Sequence, residues 1–171
     1  MSMRNSPALP LILLIGLAAV GYFTTQQPDA PAEAADNAIS GRPVVVDGDT
    51  LRIGDERIRL HGIDAPEMDQ TCGSTDIWHC GKQAREALKD HIAGRSVTCT
   101  GDSRDRYGRF IGVCRVGGED LNAWMVREGW AMAYRKYSTD YVEEEQEAAA
   151  RGLNMWTGEF VPPWEWRRSQ Q

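Results

Sequence analysis

Arg42-Pro43-Val44-Val45-Val46-Asp47-Gly48-Asp49-Thr50-Leu51-Arg52-Ile53-Gly54-Asp55-Glu56-Arg57-Ile58-Arg59-Leu60 is the stretch that decides the fold. Val44, Val45 and Val46 are β-branched, Leu51 and Ile53 alternate with polar neighbours, and Ile58 and Leu60 do the same. That period of two is the pattern of half-buried strands. Gly48 and Gly54-Asp55-Glu56 punctuate them as turns, so the stretch predicts a three-stranded meander.

Downstream, a polar loop carries Cys72 and Cys80, and a helix is expected from about Lys82 to Ala93. Ala84, Leu88 and Ile92 lie four apart on one face of that helix, and Gly94 is placed to end it. Ser96–Thr100 and Phe110–Val116 read as two further strands joined by the charged loop Gly101–Arg109. Two more helices are expected, Leu121–Glu128 stopped by Gly129, and the acidic, Ala-rich Asp140–Arg151 ended by Gly152. Trp156, Phe160, Trp164 and Trp166 in the tail are expected to pin it to the domain, because large apolar rings favour burial. The fold class is α+β, mainly β: a five-stranded OB-type Greek-key barrel with three helices.

A chain of 171 residues supports one well-cored domain, and 42% hydrophobic with 26% charged residues is ordinary globular composition. The first forty residues differ. Met1–Pro7 carries Arg4 and no acid, Ala8–Phe23 is uncharged and apolar, and Thr24–Ser40 is an aperiodic Ala/Pro/Gln/Asp linker. A basic start, an apolar run and a downstream Ala32-Glu33-Ala34 resemble a secretory signal, so export to the periplasm or the extracellular space is expected. The rival is a retained anchor, associating with the membrane through residues 8–23, although the run is short of the ~20 residues of a usual spanning helix. A buried core helix is opposed by Pro10, Gly16 and Gly21. The division is thus residues 1–40, signal or anchor plus linker, and residues 41–171, the folded domain.

Four cysteines in an oxidising compartment favour disulfides, and no C-x-x-C pair supports a zinc site. Cys72 with Cys80 would clip a loop that lacks apolar periodicity. Cys99 and Cys114 are nearly symmetric about the Gly101–Arg109 loop, which sets them opposite each other on antiparallel strands.

Two clusters carry chemistry: Asp47-Gly48-Asp49-Thr50 with Arg59 and Asp64-Ala65-Pro66-Glu67, and Asp105-Arg106-Tyr107-Gly108-Arg109. Hard cations take oxygen ligands, and Asp49 and Asp64 could supply two carboxylates from adjacent strand ends. Arg59 and Arg109 offer planar forked donors suited to phosphate. Taken singly, each piece has a plainer reading as a turn, a solvated strand residue or a helix entry.

Taken together, V-V-D-G-D-T-L, R-L-H-G-I-D-A-P-E and D-R-Y-G-R resemble three signature blocks of the staphylococcal nuclease family, and G-W-A-x-A-Y and A-R-G-L-N-M-W fit its C-terminal half. The resemblance covers Arg42 to Trp156. It implies a Ca²⁺-dependent phosphodiesterase acting on DNA and RNA and leaving 3′-phosphates. It further implies Asp49, Asp64 and the Ala65 carbonyl as metal ligands, with Glu67 acting on the attacking water. Arg59 and Arg109 would hold the phosphate, Tyr107 and Tyr134 would line the nucleotide pocket, and Asp47 and Thr50 would support the metal. Ala65 stands where the family often has Thr, which keeps the carbonyl. The lysine-rich loop that relatives can carry after the acidic block is here Met68–Gly81, without lysine. A monomer is expected.

The net charge of −6 excludes a protein that coats nucleic acid by bulk electrostatics, so an enzyme of this class needs local positive charge. Arg104, Arg106, Arg109 and Arg115 gather around one loop, while Glu143, Glu144, Glu145 and Glu147 crowd a helix read as distant from it. The rival readings are a non-catalytic nucleic-acid-binding barrel and a structural envelope protein. The presence of Asp49, Arg59, Asp64, Glu67 and Arg109 together speaks against both.

Overall fold

The computed structural model describes residues 37–171, so the expected export segment and most of the expected linker lie outside the described residues. Strand β1 (Ala38–Gly41) and strand β2 (Val44–Asp47) are two halves of one extended run interrupted at Arg42-Pro43. Proline cannot donate to a sheet ladder, which suits a break in pairing. β1 begins inside the stretch read as linker; three short residues before Gly41 gave no usable alternation.

The two halves pair with different neighbours. β2 is antiparallel to β3 (Thr50–Ile53), which is antiparallel to β4 (Glu56–Leu60), completing the expected meander. β1 is antiparallel to β6 (Val97–Arg104), and β6 to β7 (Phe110–Val116). β4 runs parallel to β7, with Arg59 opposite Ile111. The hydrogen-bonded order β1-β6-β7-β4-β3-β2 therefore starts and ends on the same run of chain, which joins the two ends of the sheet. With β1 and β2 counted as one bent strand, this is the five-stranded OB-type barrel. Short strands β5 (Ile63–Asp64) and β9 (Met132–Ala133) pair with each other, and β8 (Glu119–Asp120) adds to β7.

Among the described residues there are four α-helices, not three. α1 (Cys80–Ile92), α2 (Leu121–Arg127) and α3 (Val142–Arg151) match the expected ones within two residues or so at each end. The fourth, α4 (Pro163–Ser169), lies in the tail, which has no apolar periodicity to announce it. Its proline at the first turn is well suited to start a helix, since that position needs no N–H donor. β6 likewise runs four residues into what reads as a charged loop, because its end pairs with β7 at Ser103 and Arg104 rather than burying apolar side chains.

Leu51, Ile58 and Leu60 fill the barrel against Ala84, Leu88 and Ile92 of α1 and Leu121 and Met125 of α2. Each large side chain so buried stabilises the fold by about 1.5–3 kcal/mol. Asn122 is buried too, with both ends used. Its amide donates to the His61 and Gly112 carbonyls at 2.9 and 3.2 Å, and its oxygen accepts from Cys114 N at 3.1 Å. That pins α2 to the turn leading into Asp64. Both expected disulfides form: Cys72–Cys80, and Cys99–Cys114 across directly paired positions of β6 and β7 with Cα atoms 4.0 Å apart.

Candidate active site

Asp47, Asp49, Arg59, Ala65, Glu67, Tyr107, Arg109 and Tyr134 line one open cleft of about 1440 Å³, and Thr50 and Asp64 are buried beside it, in contact with its arginines. Asp49 sits at the β2–β3 turn and is nearly inaccessible. Its backbone N–H donates to Asp47 Oδ1 (3.0 Å), so Asp47 shapes the turn. Gly48 is required there: a Cβ would lie 2.6 Å from that of Ala65. Ala65 N–H donates to Asp49 Oδ2 (2.8 Å) and Thr50 Oγ1 to Asp49 Oδ1 (3.2 Å). Asp64, fully buried on β5, faces the same point.

Arg59 joins the two carboxylates. Its Nη1 donates to Asp49 Oδ1, and its Nη2 to Asp64 Oδ1 (2.7 Å) and the Ile63 carbonyl (3.2 Å). Arg109 is held by Asp105, which accepts from its Nε at 2.7 Å and its backbone N–H at 3.0 Å; its Nη1 reaches Thr50 Oγ1 at 3.4 Å. Thr50 is thus the link between the two arginines. Glu67 lies beyond Asp64, its side chain 37% exposed to the cleft. Its backbone is fixed by Gln70 Oε1, which accepts its N–H at 3.2 Å, and by the start of α1, where a Cβ on Gly81 would fall 1.8 Å from the Glu67 carbonyl oxygen.

Tyr107 and Tyr134 also line the cleft. Tyr107 is exposed and lies beneath the guanidinium groups of Arg106 and Arg109, 4.8 and 5.7 Å from its ring centre. Tyr134 stacks on Trp164 at 5.5 Å with the planes 6° apart.

Two contributors were missed, Arg167 and Glu145, and a third, Asp105, stood in a cluster read from sequence without a role of its own. Arg167 of α4 donates through Nη2 to Asp64 Oδ2 (2.8 Å), and through Nη1 to Asp64 Oδ1 (3.0 Å) and Glu67 Oε1 (2.7 Å). Only its place beside the tail tryptophans could have signalled it. Asp105 orients Arg109. Glu145 belongs to the helix read as distant, yet it is buried, accepts from Ala133 N–H at 3.0 Å, and pairs with Arg135 on the cleft wall. Arg115, grouped with the loop arginines by sequence, pairs with Asp120 instead and does not line the cleft. The cleft nevertheless carries Arg57, Arg104, Arg106, Arg135, Lys136 and Arg168 besides the arginines already placed. Local positive charge of this kind resolves the conflict with the acidic net charge.

Among the described residues no group of three or more His, Cys, Asp or Glu side chains forms a ready metal cage. Asp49 and Asp64 do fit a hard cation that takes its other ligands from carbonyl oxygen and water, since both are all-oxygen donors buried close to each other. Burial pushes the Asp49 carboxyl up to about 6, with Asp47 adding to the rise and Arg59 opposing it. Asp64 is raised as well, by burial first and by Asp49.

A folded-state value above the unfolded one means that this group favours folding below pH ~4, and that the contribution is lost as pH rises through about 6. In chelator, the stability of the wild type relative to Asp49→Asn should therefore fall between pH 4 and 7, by up to about 3 kcal/mol for a two-unit shift. Urea unfolding at both pH values measures it, and a pH-independent difference would contradict the assignment.

Residues 57–158 match the family model described as staphylococcal nuclease homologue. The succinoglycan biosynthesis protein ExoI of Rhizobium meliloti is 38% identical over 131 residues, spanning 71% of this chain and 66% of that protein. An uncharacterized endonuclease of Escherichia coli O157:H7 is 42% identical over 148 residues, 80% of this chain and 89% of its own length. A micrococcal nuclease of Shigella flexneri is 37% identical over 145 residues, 74% and 79% of the two chains. With more than half of its length matched and its acids and arginines gathered in one cleft, the chain belongs to the family of staphylococcal nuclease homologues.

Proposed function

We propose that this protein is a Ca²⁺-dependent nuclease that hydrolyses phosphodiester bonds of DNA and RNA, leaving 3′-phosphates. The observation that carries the reading is that Asp49, Glu67, Arg59 and Arg109 meet in one cation-lined cleft, with Asp64 buried against Arg59. Relatives named endonuclease and micrococcal nuclease support it.

Asp49, Asp64 and the Ala65 carbonyl would hold the cation, which when bound would offset phosphate charge and polarise phosphorus. Glu67 takes a proton from the attacking water at a carboxylate oxygen. Arg59 and Arg109 donate to the phosphoryl oxygens, where charge grows in the transition state, and so favour it over the bound substrate. Tyr107 and Tyr134 offer ring faces to the bases beside the scissile bond. Arginine is a poor proton donor to the leaving oxygen, with a pKa above ~12.

Two disulfides among the described residues suit an oxidising compartment, consistent with export to the periplasm or outside the cell. No helix among the described residues is long and apolar enough to cross a membrane. The test is cleavage of plasmid DNA and of a single-stranded RNA with Ca²⁺ and with excess chelator. Cleavage lost in chelator and restored by Ca²⁺ is expected; binding without cleavage under both conditions would favour a non-catalytic module.

A further inference from the structure

α4 is the one element of the cleft that nothing above gives a task, and it touches both halves of the site. Arg167 uses both Nη groups on Asp64 and a further bond on Glu67, so a cation already sits on the carboxylates assigned to metal and to water. Three residues earlier, Trp164 lies flat on Tyr134, covering a ring assigned to the nucleotide. Turn-to-turn spacing on a helix puts residues three apart on one face, so a single movement withdraws both.

Beyond the contacts of Arg167 and Trp164, the residue of α4 that is buried is Pro163. The helix is seven residues long, and helices that short do not persist on intrinsic propensity alone. The chain before it is tied down by Gln70 Nε2 donating to the Val161 carbonyl at 2.7 Å and by Gly73 N–H donating to the Glu159 carbonyl at 2.7 Å. Pro162 and Pro163 follow those ties at once and Pro163 is buried, so the tail stays docked up to that point and the stretch that can leave the cleft is Trp164 onward.

We propose that α4 is an autoinhibitory plug, with Arg167 a tethered competitor of the metal ion at Asp64 and Glu67 and Trp164 a tethered competitor of the substrate base at Tyr134. The proposal rests on the metal-dependent reading given above. The metal binds only the fraction of molecules in which Arg167 has left, so its apparent affinity is reduced by that fraction. Substrate that displaces Trp164 loosens Arg167 and thereby raises metal affinity, and by linkage metal raises substrate affinity equally.

The test is calorimetric titration of Ca²⁺ into the full chain, wild type, Arg167→Ala and Ser169→Ala, with hydrogen exchange of residues 163–169 followed at zero and saturating Ca²⁺. Ser169 shares the helix but is exposed, does not line the cleft and donates within α4, to the Trp166 carbonyl, so its loss should leave the affinity unchanged. Arg167→Ala should bind Ca²⁺ more tightly by roughly 5–150-fold, the span of ordinary coupling between sites. Exchange in α4 should accelerate when wild type is saturated. Equal affinities for wild type and Arg167→Ala, or an α4 that stays equally protected with Ca²⁺ bound, would overturn the plug while leaving the metal reading intact. Absence of Ca²⁺ binding in both proteins would overturn the metal reading and the plug with it.

Discussion

Glu67→Gln is expected to fold normally and to cleave phosphodiesters roughly 10²–10⁴-fold more slowly, the usual span for loss of a general base. Glutamine keeps the length and one carbonyl oxygen, so it can still accept the bond from Arg167 that Glu67 Oε1 now accepts at 2.7 Å. The backbone at this position is held by Gln70 and by the close approach of Gly81, neither of which involves the carboxylate. What the amide cannot do is take a proton from water. Single-turnover rates at saturating Ca²⁺, alongside urea midpoints, separate the two effects. A wild-type rate would reduce Glu67 to an anchor for Arg167.

Arg59→Lys should be severe in two respects. The guanidinium bridges Asp49 and Asp64 and also donates to the Ile63 carbonyl, three partners that one ammonium group on a shorter reach cannot serve together. Leaving a buried carboxylate without its partner destabilises by about 3–5 kcal/mol when the pair is broken outright, and retained charge should hold the loss to the lower end. Losing a positioned donor to the transition-state charge should slow cleavage by about 10²–10³-fold. A lysine variant with wild-type stability would mean that the two carboxylates are held apart by the barrel alone. One with wild-type rate would remove Arg59 from the phosphate.

The meander was legible because Leu51, Ile53, Ile58 and Leu60 bury alternate side chains, which is the one signal a sequence shows directly. The Cys99–Cys114 pair was legible for a related reason: antiparallel register follows from the strands once their connecting loop is located. The unread parts depend on contacts between remote positions. Arg167 meets Asp64 across 103 residues, and a basic pair after two prolines looks like any solvated tail. Glu145 sits in a run of acids that reads as a wet helix face, yet α3 turns it inward onto Ala133 N–H, where a carboxylate replaces a missing strand partner. Arg115 and Arg109 share the outward side of β7, but Arg115 lies six residues further along, at the end where β7 pairs with β8, so only Arg109 reaches the cleft.

The parallel contact of β4 with β7 has a consequence in chain entropy. Arg59 and Ile111 face each other across more than fifty residues of intervening sequence. The two covalent cross-links shorten that path by roughly a third, and since a full doubling of loop length changes closure by only about 0.6 kcal/mol, their help with this closure is slight. The cross-links therefore rigidify a loop and a strand pair, while the meeting of β4 and β7 is left to apolar packing. The two arginines proposed to hold the phosphate come from β4 and from the residue just before β7. No partly folded form that lacks this long-range pairing can keep them on one cleft, so catalytic competence and barrel closure rise and fall as a single cooperative event.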